Sequence, residues 1–181
     1  MRGRYIQPNN NSSSEKAVPR ASAQSVNRIA GQAVNRSVSV VSKSTRVPRK
    51  LVKQRARILR ATVGKPRALI RVNRGNLPAI KLGTASVRLS RRKRDKSGAS
   101  SVLRIGPFRF PGAFIQQLAN GRWHVLRRTT RNRYPIEVVS IPLAVPLTEA
   151  FRAELPRLMD ERMPEVMRQN LQNQLRLILS R

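Results

Sequence analysis

The most constraining feature of this sequence is a long stretch in which no acid balances the basic residues. From Lys16 to Arg94 there are 22 Lys and Arg residues and no Asp or Glu. From Tyr134 to Arg181 six Arg are matched by six acidic residues, so the whole formal charge of +30 lies in the first 133 residues. Such a field opposes compaction unless a polyanion or an acidic protein surface offsets it. The sequence therefore predicts an anionic partner, either nucleic acid or an acidic protein, and the alternative is a solvated basic surface.

Composition excludes several classes of protein. An apolar content of 39 % in 181 residues is enough for a packed core. The absence of Cys excludes disulfides, thiolate metal sites and Cys nucleophiles. The longest uncharged run, Phe110–Gly121, is shorter than the roughly 18–20 apolar residues of a membrane span, and no apolar signal-peptide core follows Met1. We expect no membrane association, a flexible polar arm over 1–14, and a single domain over 15–181.

Hydrophobic periodicity indicates an α+β fold. Helical spacing over Ala17–Lys43 predicts a first helix, and Pro48 suits the first turn of a second helix, Pro48–Arg60. The alternating segments Arg67–Asn73 and Leu77–Ser90 predict paired strands, the second of them bent at Gly83. Further strands are expected at Ser101–Ile105, Phe108–Phe110, Gly112–Leu118, Trp123–Arg128 and Ile136–Ile141.

The expected strands Gly112–Leu118 and Trp123–Arg128 flank Asn120-Gly121, which predicts a hairpin with Trp123 in the core beneath it. In the C-terminal third, Thr148 is expected to cap a helix that Pro156 kinks or splits, and Pro164 to open a final helix. The predicted architecture is therefore N-terminal helices, a mostly antiparallel sheet of about four to six strands, and C-terminal helices.

Two groups of cations are the candidate DNA- or partner-contacting residues. The first group falls within about a third of the circumference of the predicted second helix, opposite its apolar face: Arg49, Lys50, Lys53, Arg57 and Arg60. The second group belongs to a basic loop over 91–99: Arg91, Arg92, Lys93 and Arg94. A solvated face is the alternative interpretation of each group. Arg55 falls on the apolar side of the helix and is expected to snorkel, to pair with a carboxylate or to reach a partner.

The sequence offers little catalytic chemistry. His124 is the single His, and no acid lies near it in sequence to orient it. The carboxylates lack the spacing of a metal site, and we expect the helical pairs Glu154–Arg157 and Asp160–Arg157. No P-loop, dinucleotide fingerprint or nucleophile elbow is present. We expect no enzyme activity and no catalytic, cofactor-binding or metal-binding residue; a nuclease, which the charge would suit, normally needs clustered metal ligands.

Four segments in order along the chain carry a resemblance to a known family: Arg49–Val63 (RKLVKQRARILRATV), Val72–Gly83 (VNRGNLPAIKLG), Pro111–His124 (PGAFIQQLANGRWH) and Asn132–Phe151 (NRYPIEVVSIPLAVPLTEAF). They closely resemble the minor tail protein Z family, the tail completion proteins of lambda-like siphophages and their prophages. The resemblance runs from about Ala17 to the C-terminus, and the basic cluster Arg91–Arg94 is also similar.

The resemblance implies a structural virion protein at the head-proximal end of the tail, made in the host cytoplasm. Such a protein supports head–tail joining and helps set how far the genome end enters the tail. The implied partners are the tail terminator, the tail tube, the head–tail connector and genome DNA. Analogy with connector proteins favours a homo-oligomer, a hexameric ring in preference to a few asymmetric copies. The alternative is a basic, non-enzymatic nucleic-acid-binding protein without a virion role, which the charge alone would also suit.

Overall fold

The computed structural model describes residues 10–88, 101–130 and 134–180. In these ranges one long helix precedes a series of short antiparallel strands and another follows them, which confirms the α+β class. The elements in chain order are α1 (Asn10–Thr45), α2 (Arg49–Lys53), β1 (Ala56–Leu59), β2 (Leu69–Val72), β3 (Leu77–Pro78), a 3-10 helix (Ala79–Leu82), β4 (Ala85–Arg88), β5 (Val102–Ile105), β6 (Phe108–Pro111), β7 (Ala113–Gln117), β8 (Trp123–Arg128), β9 (Ile136–Val138), β10 (Ser140–Ile141) and α3 (Ala144–Leu179). No helix in the described part of the chain is long and apolar enough to cross a membrane.

The chain packs into two compact units. The first contains the described residues up to Val40, the segment Ala56–Val72, and the residues from Leu147 onward. The second contains Val41–Arg55 and the described residues of Asn73–Pro146. Both long helices contribute residues to both units, and the single domain expected over 15–181 stays a prediction.

Helix α1 includes the predicted Ala17–Lys43 and extends beyond it at both ends. It begins at Asn10, so residues 10–14 of the expected polar arm are helical, and residues 1–9 lie outside the described ranges. Small residues form its packed side, where Ala17, Ala21 and Ala33 are fully buried. The buried Ser25 hydroxyl donates to Ala21 O at 2.7 Å and accepts from Asn170 Nδ2 at 2.8 Å, so its polar group is satisfied inside the first unit.

Helix α3 is a single helix of 36 residues, so the predicted division near Pro156 and Pro164 is wrong. Thr148 accordingly lies inside the helix and does not begin it. Leu158 and Val166 are buried in one core cluster with Ile29 and Ala33 of α1. Each buried side chain of this size contributes about 1.5–3 kcal/mol, which offsets the roughly 3 kcal/mol cost of a helical proline. Both prolines are exposed residues, so water can reach the helix where they interrupt its hydrogen bonds.

The predicted second helix, Pro48–Arg60, is wrong beyond Lys53. The chain leaves the helix at Gln54 and forms β1, which pairs in antiparallel fashion with β2. Ile58 lies opposite Ile70 in this ladder, and Ile70 packs against the core of the first unit. The expected pairing of Arg67–Asn73 with Leu77–Ser90 is therefore wrong as well, because β2 takes β1 as its partner.

The second unit contains three small antiparallel sheets among the described residues: β3 with β10, β4-β5-β6, and β7-β8-β9. The 3-10 helix interrupts the predicted strand Leu77–Ser90. Gly83 directly follows this helix and has a φ of 143°, so the expected bend falls at that glycine. The expected strand Ile136–Ile141 is also divided, since Val139 separates β9 from β10. Val139 joins the elements instead: its N–H donates to Val125 O at 2.8 Å and its carbonyl accepts from Ala79 N at 2.9 Å.

The hairpin predicted around Asn120-Gly121 is confirmed as β7 and β8. Gly121 has φ 73°, and the Asn120 side chain accepts from Arg122 N at 3.0 Å, so both residues do what a tight turn requires. The core position predicted for Trp123 is wrong, because 56 % of this residue is exposed. Trp123 is opposite Gln117 at the loop end of the ladder, whereas the buried positions of β8 are Val125 and Leu126.

Candidate partner-binding surface

Three of the candidate cations lie on a single helical turn of the second unit. Arg49, Lys50 and Lys53 are exposed residues of α2. Val52, in the same turn, is fully buried, and Val52 N and Leu51 N both bond to Pro48 O, at 3.3 and 2.9 Å. The turn is thus anchored by its apolar side and presents its cations outward.

The structure places the next two candidates in the first unit, on a hairpin. Arg57 belongs to β1 and lies directly opposite Arg71 of β2, and both are exposed. The hairpin over 56–72 carries five exposed cations and no acid: Arg57, Arg60, Lys65, Arg67 and Arg71. We call these five residues the basic hairpin. Like charges directly opposite each other in a ladder are destabilising, so this arrangement opposes folding in the absence of an anion.

The five cations expected on one helix face are therefore divided between α2 and the basic hairpin. Sequence reasoning missed Lys65, Arg67 and Arg71, because it assigned β2 to a different partner strand. The feature that indicates these three cations in the sequence is the lack of any Asp or Glu near them. The other candidates, Arg91–Arg94, lie outside the described residues, and their role stays a prediction.

Two carboxylates of α3 form ion pairs within the first unit. Arg36 of α1 pairs with Glu154 at 4.0 Å, and Arg162 pairs with Glu165 at 3.7 Å. The expected pairs of Arg157 with its helical neighbours do not form in the described part of the chain, where Glu154 turns to Arg36 instead. No ion pair among the described residues involves a cation of the basic hairpin. Its charge is left for solvent or a partner.

Arg55 bonds to the chain's own backbone and forms no ion pair among the described residues. Its Nη2 donates to the backbone carbonyl of Asn76 at 3.1 Å, while its own carbonyl accepts from Asn73 N at 2.7 Å. The Asn73 side chain accepts from Gly75 N at 2.9 Å. Arg55 thus braces the turn over 73–76 and has a structural role.

The described residues contain no group of three or more His, Cys, Asp or Glu placed to hold a metal ion. His124 is half-buried in β8, and its Nδ1 is buried without a hydrogen-bond partner in the described structure.

An α+β framework that presents an unneutralised basic hairpin is typical of a structural or binding protein with an anionic partner. Comparison of the sequence with known protein families identifies the class of protein more closely. Residues 8–181 match the family described as prophage minor tail protein Z (GPZ), and the chain belongs to this family.

Two relatives support the assignment. The chain is similar to the tail completion protein of Escherichia phage N15, with 79 % identity over 96 % of this chain and 94 % of that protein. It is also similar to tail completion protein Z of Escherichia phage lambda, with 53 % identity over 93 % of this chain and 92 % of that protein. The resemblance stated from the sequence is confirmed. No solved structure matches the chain.

Proposed function

We propose that this chain is a structural, non-enzymatic tail completion protein that finishes the head-proximal end of a phage tail. It supports the joining of tail to head and the positioning of the genome end in the tail. One observation carries the proposal: the 79 % identity to the tail completion protein of phage N15 spans nearly the whole of both chains. At that identity most surface positions, and not only the core, hold the same residue, which favours a shared set of contacts.

The charge distribution supports contact with an anion at that position. Two pairs of arginines lie directly opposite each other across antiparallel ladders, Arg57 with Arg71 in the first unit and Arg104 with Arg109 in the second. All four are exposed. Binding of a phosphate backbone or of an acidic surface relieves this repulsion and releases condensed counterions, so the partner and the fold stabilise each other.

The partners proposed for this surface are the tail terminator, the tail tube and the head–tail connector, together with genome DNA. We further propose a homo-oligomer with a hexameric ring as the favoured form, since head-to-tail contacts between identical chains form a ring when their rotation closes. The protein would be assembled in the host cytoplasm and kept in the virion tail.

Complementation tests the proposal. The gene of the tail completion protein is deleted from a phage N15 or lambda lysogen, and this chain is supplied from a plasmid during induction. We expect infectious titre to return to within about tenfold of that given by the phage's own gene, and the chain to co-sediment with purified tails. A soluble, folded chain that restores no titre and is absent from tails would overturn the proposal.

Co-sedimentation with tails and a DNA retardation assay together distinguish the alternative function. A nucleic-acid-binding protein without a virion role would be absent from tails, and it would retard duplex DNA with log affinity falling by about 0.9 per neutralised phosphate against log salt.

Charge variants test the surface itself. In the complementation assay, Arg57→Gln combined with Arg71→Gln is expected to lower titre by at least tenfold while the chain stays folded. The matched control is Arg168→Gln combined with Arg176→Gln, which removes the same charge from exposed positions of α3, in the charge-balanced part of the chain. Equal titres from the two double variants would show that the basic hairpin has no special role.

A further inference from the structure

An apolar groove of about 700 Å³ runs through the first unit between α1, β2 and α3. Its apolar lining comes from all three elements, with Ile29 from α1, Ile70 from β2 and Phe151 from α3 among them. Large apolar side chains along it are left partly exposed: Leu69 at 43 %, Leu155 at 37 % and Met159 at 44 %. An exposed apolar concavity of this size marks a binding site more often than a defect of packing.

One wall of the groove is the open edge of a β-strand. Among the described residues, β2 pairs with β1 on one side and has no strand on the other. The bond from Asn73 N to Arg55 O sets the phase of the ladder, because hydrogen-bonded and non-hydrogen-bonded pairs alternate in an antiparallel ladder. Arg71 and Leu69 therefore turn their backbone groups toward β1, and Ile70 and Val72 turn theirs toward the open edge.

Ile70 and Val72 both line the groove. In the described part of the chain, no backbone hydrogen bond outside the regular elements involves either residue. An open edge with unpaired N–H and C=O groups beside an apolar groove is the arrangement on which an extended peptide adds as a further strand.

The charge of the groove is of one sign. Arg67 and Arg152 contribute to its lining, and none of the lining residues is Asp or Glu. Neither arginine takes part in an ion pair of the described residues. A segment that carries carboxylates complements this rim, and a basic segment is repelled by it.

We propose that this groove binds an extended segment of another tail or head–tail protein, which adds to the edge of β2 as a third strand. The segment is apolar at alternate positions, because one of its faces meets the groove, and it carries carboxylates that reach Arg67 and Arg152. That the segment belongs to a tail or head–tail protein rests on the proposed function; its chemistry rests on the groove.

A peptide array tests the proposal on the full-length chain. The probes are overlapping 15-residue peptides that span every tail and head–tail protein of phage lambda, together with this chain's own sequence. We expect the bound peptides to alternate apolar residues and to contain Asp or Glu. In hydrogen exchange, a bound peptide is expected to slow the amides of Ile70 and Val72 at least tenfold and to leave the amide of Arg71, already bonded to β1, unchanged.

Substitutions in the groove sharpen the test. Leu155→Asp places a carboxylate in the groove and is expected to weaken binding of the acidic peptide at least tenfold, whereas Leu177→Asp, on the same helix and outside the groove, leaves it unchanged. Arg67→Glu combined with Arg152→Glu is expected to weaken the acidic peptide about fivefold or more, and a copy of that peptide with Lys in place of its acids regains the loss.

The proposal is overturned if no array peptide protects Ile70 and Val72, or if the Leu155 and Leu177 variants bind alike. Binding only by peptides of this chain would make the occupant a second copy and would also overturn it. These measurements need no particle assembly, so their outcome is independent of the complementation test. A chain that complements but binds no peptide retains the proposed function and loses the groove site.

Discussion

The opposed arginines of the basic hairpin lead to a prediction in which stability and function change in opposite directions. Arg57 and Arg71 lie directly across the β1–β2 ladder, both exposed, and neither takes part in an ion pair of the described residues. Replacing one of them by Glu converts a repulsive pair into an attractive one. We therefore expect Arg71→Glu to stabilise the isolated protein and to impair tail completion, because the substitution removes the positive charge that the anionic partner meets.

The magnitude follows from Coulomb's law in a solvated setting. Cβ atoms of directly opposed residues lie about 5 Å apart, and charges about 6 Å apart in water interact by about 0.7 kcal/mol. Reversing one sign changes the interaction by about twice that amount, and screening at about 0.15 M salt halves it. The expected gain is therefore about 0.5–1 kcal/mol, which raises the Tm of a chain of this size by about 1–4 °C.

Thermal melts in low and high salt, with a double-mutant cycle, provide the measurement. Arg57→Glu and Arg71→Glu should each raise the Tm, the combination should not, and Arg71→Gln should give about half of the single gain. All these differences should shrink at about 1 M salt, where the Debye length is about 3 Å. A Tm that falls in both single Glu variants, or a gain that salt does not change, would refute the assignment of facing like charges. Unchanged titre from Arg71→Glu would refute its role in function.

Three further predictions concern packing and hydrogen bonds. Leu158→Ala should destabilise the protein by about 2–5 kcal/mol in urea melts, since Leu158 is fully buried in the core cluster. The same change at the exposed Leu179 should cost less than about 0.5 kcal/mol. Equal costs would contradict the packing of α3 on α1. Asn27→Ala removes two hydrogen bonds, from Nδ2 to Ala61 O at 2.9 Å and from Ala61 N to Oδ1 at 2.8 Å. It should lower the free energy of unfolding by about 1–3 kcal/mol, whereas Asn27→Asp should lose only the first bond. No loss of stability in either variant would contradict these bonds. Trp123→Ala should lower the Tm by no more than about 3 °C, and a larger loss would show that the ring is buried after all.

Elements with a strong local signal were predictable. The spacing over Ala17–Lys43 predicted α1, and Asn120-Gly121 between two alternating runs predicted the β7–β8 hairpin. In both cases the determining interactions join residues close in sequence. The segment over 54–60 is predicted as helix because its seven-residue apolar spacing matches two helical turns. Nothing local shows that Arg55 O is bonded to Asn73 N. The backbone hydrogen bonds of β1 come from β2, whose paired residues are ten or more positions away in sequence.

The candidate site shows the same division. That cations from Arg49 to Arg60 lack acidic neighbours was visible in the sequence. That Arg57 lies opposite Arg71, and that the groove runs along β2, followed only from the pairing. Residue type alone predicts a core position for Trp123, whereas its position at the loop end of the ladder leaves it exposed.

By itself, the sequence determined the polarity of charge, the membership of the minor tail protein Z family and the helical character of the segments that become α1 and α3. Net charge, family motifs and helical periodicity are properties of contiguous residues, so they can be read without knowing which segments meet. The tertiary structure decided which cations share a surface, kept α3 continuous through two prolines and left one edge of β2 open beside an apolar groove. These depend on strand register and on burial between residues distant in sequence, which no local pattern specifies.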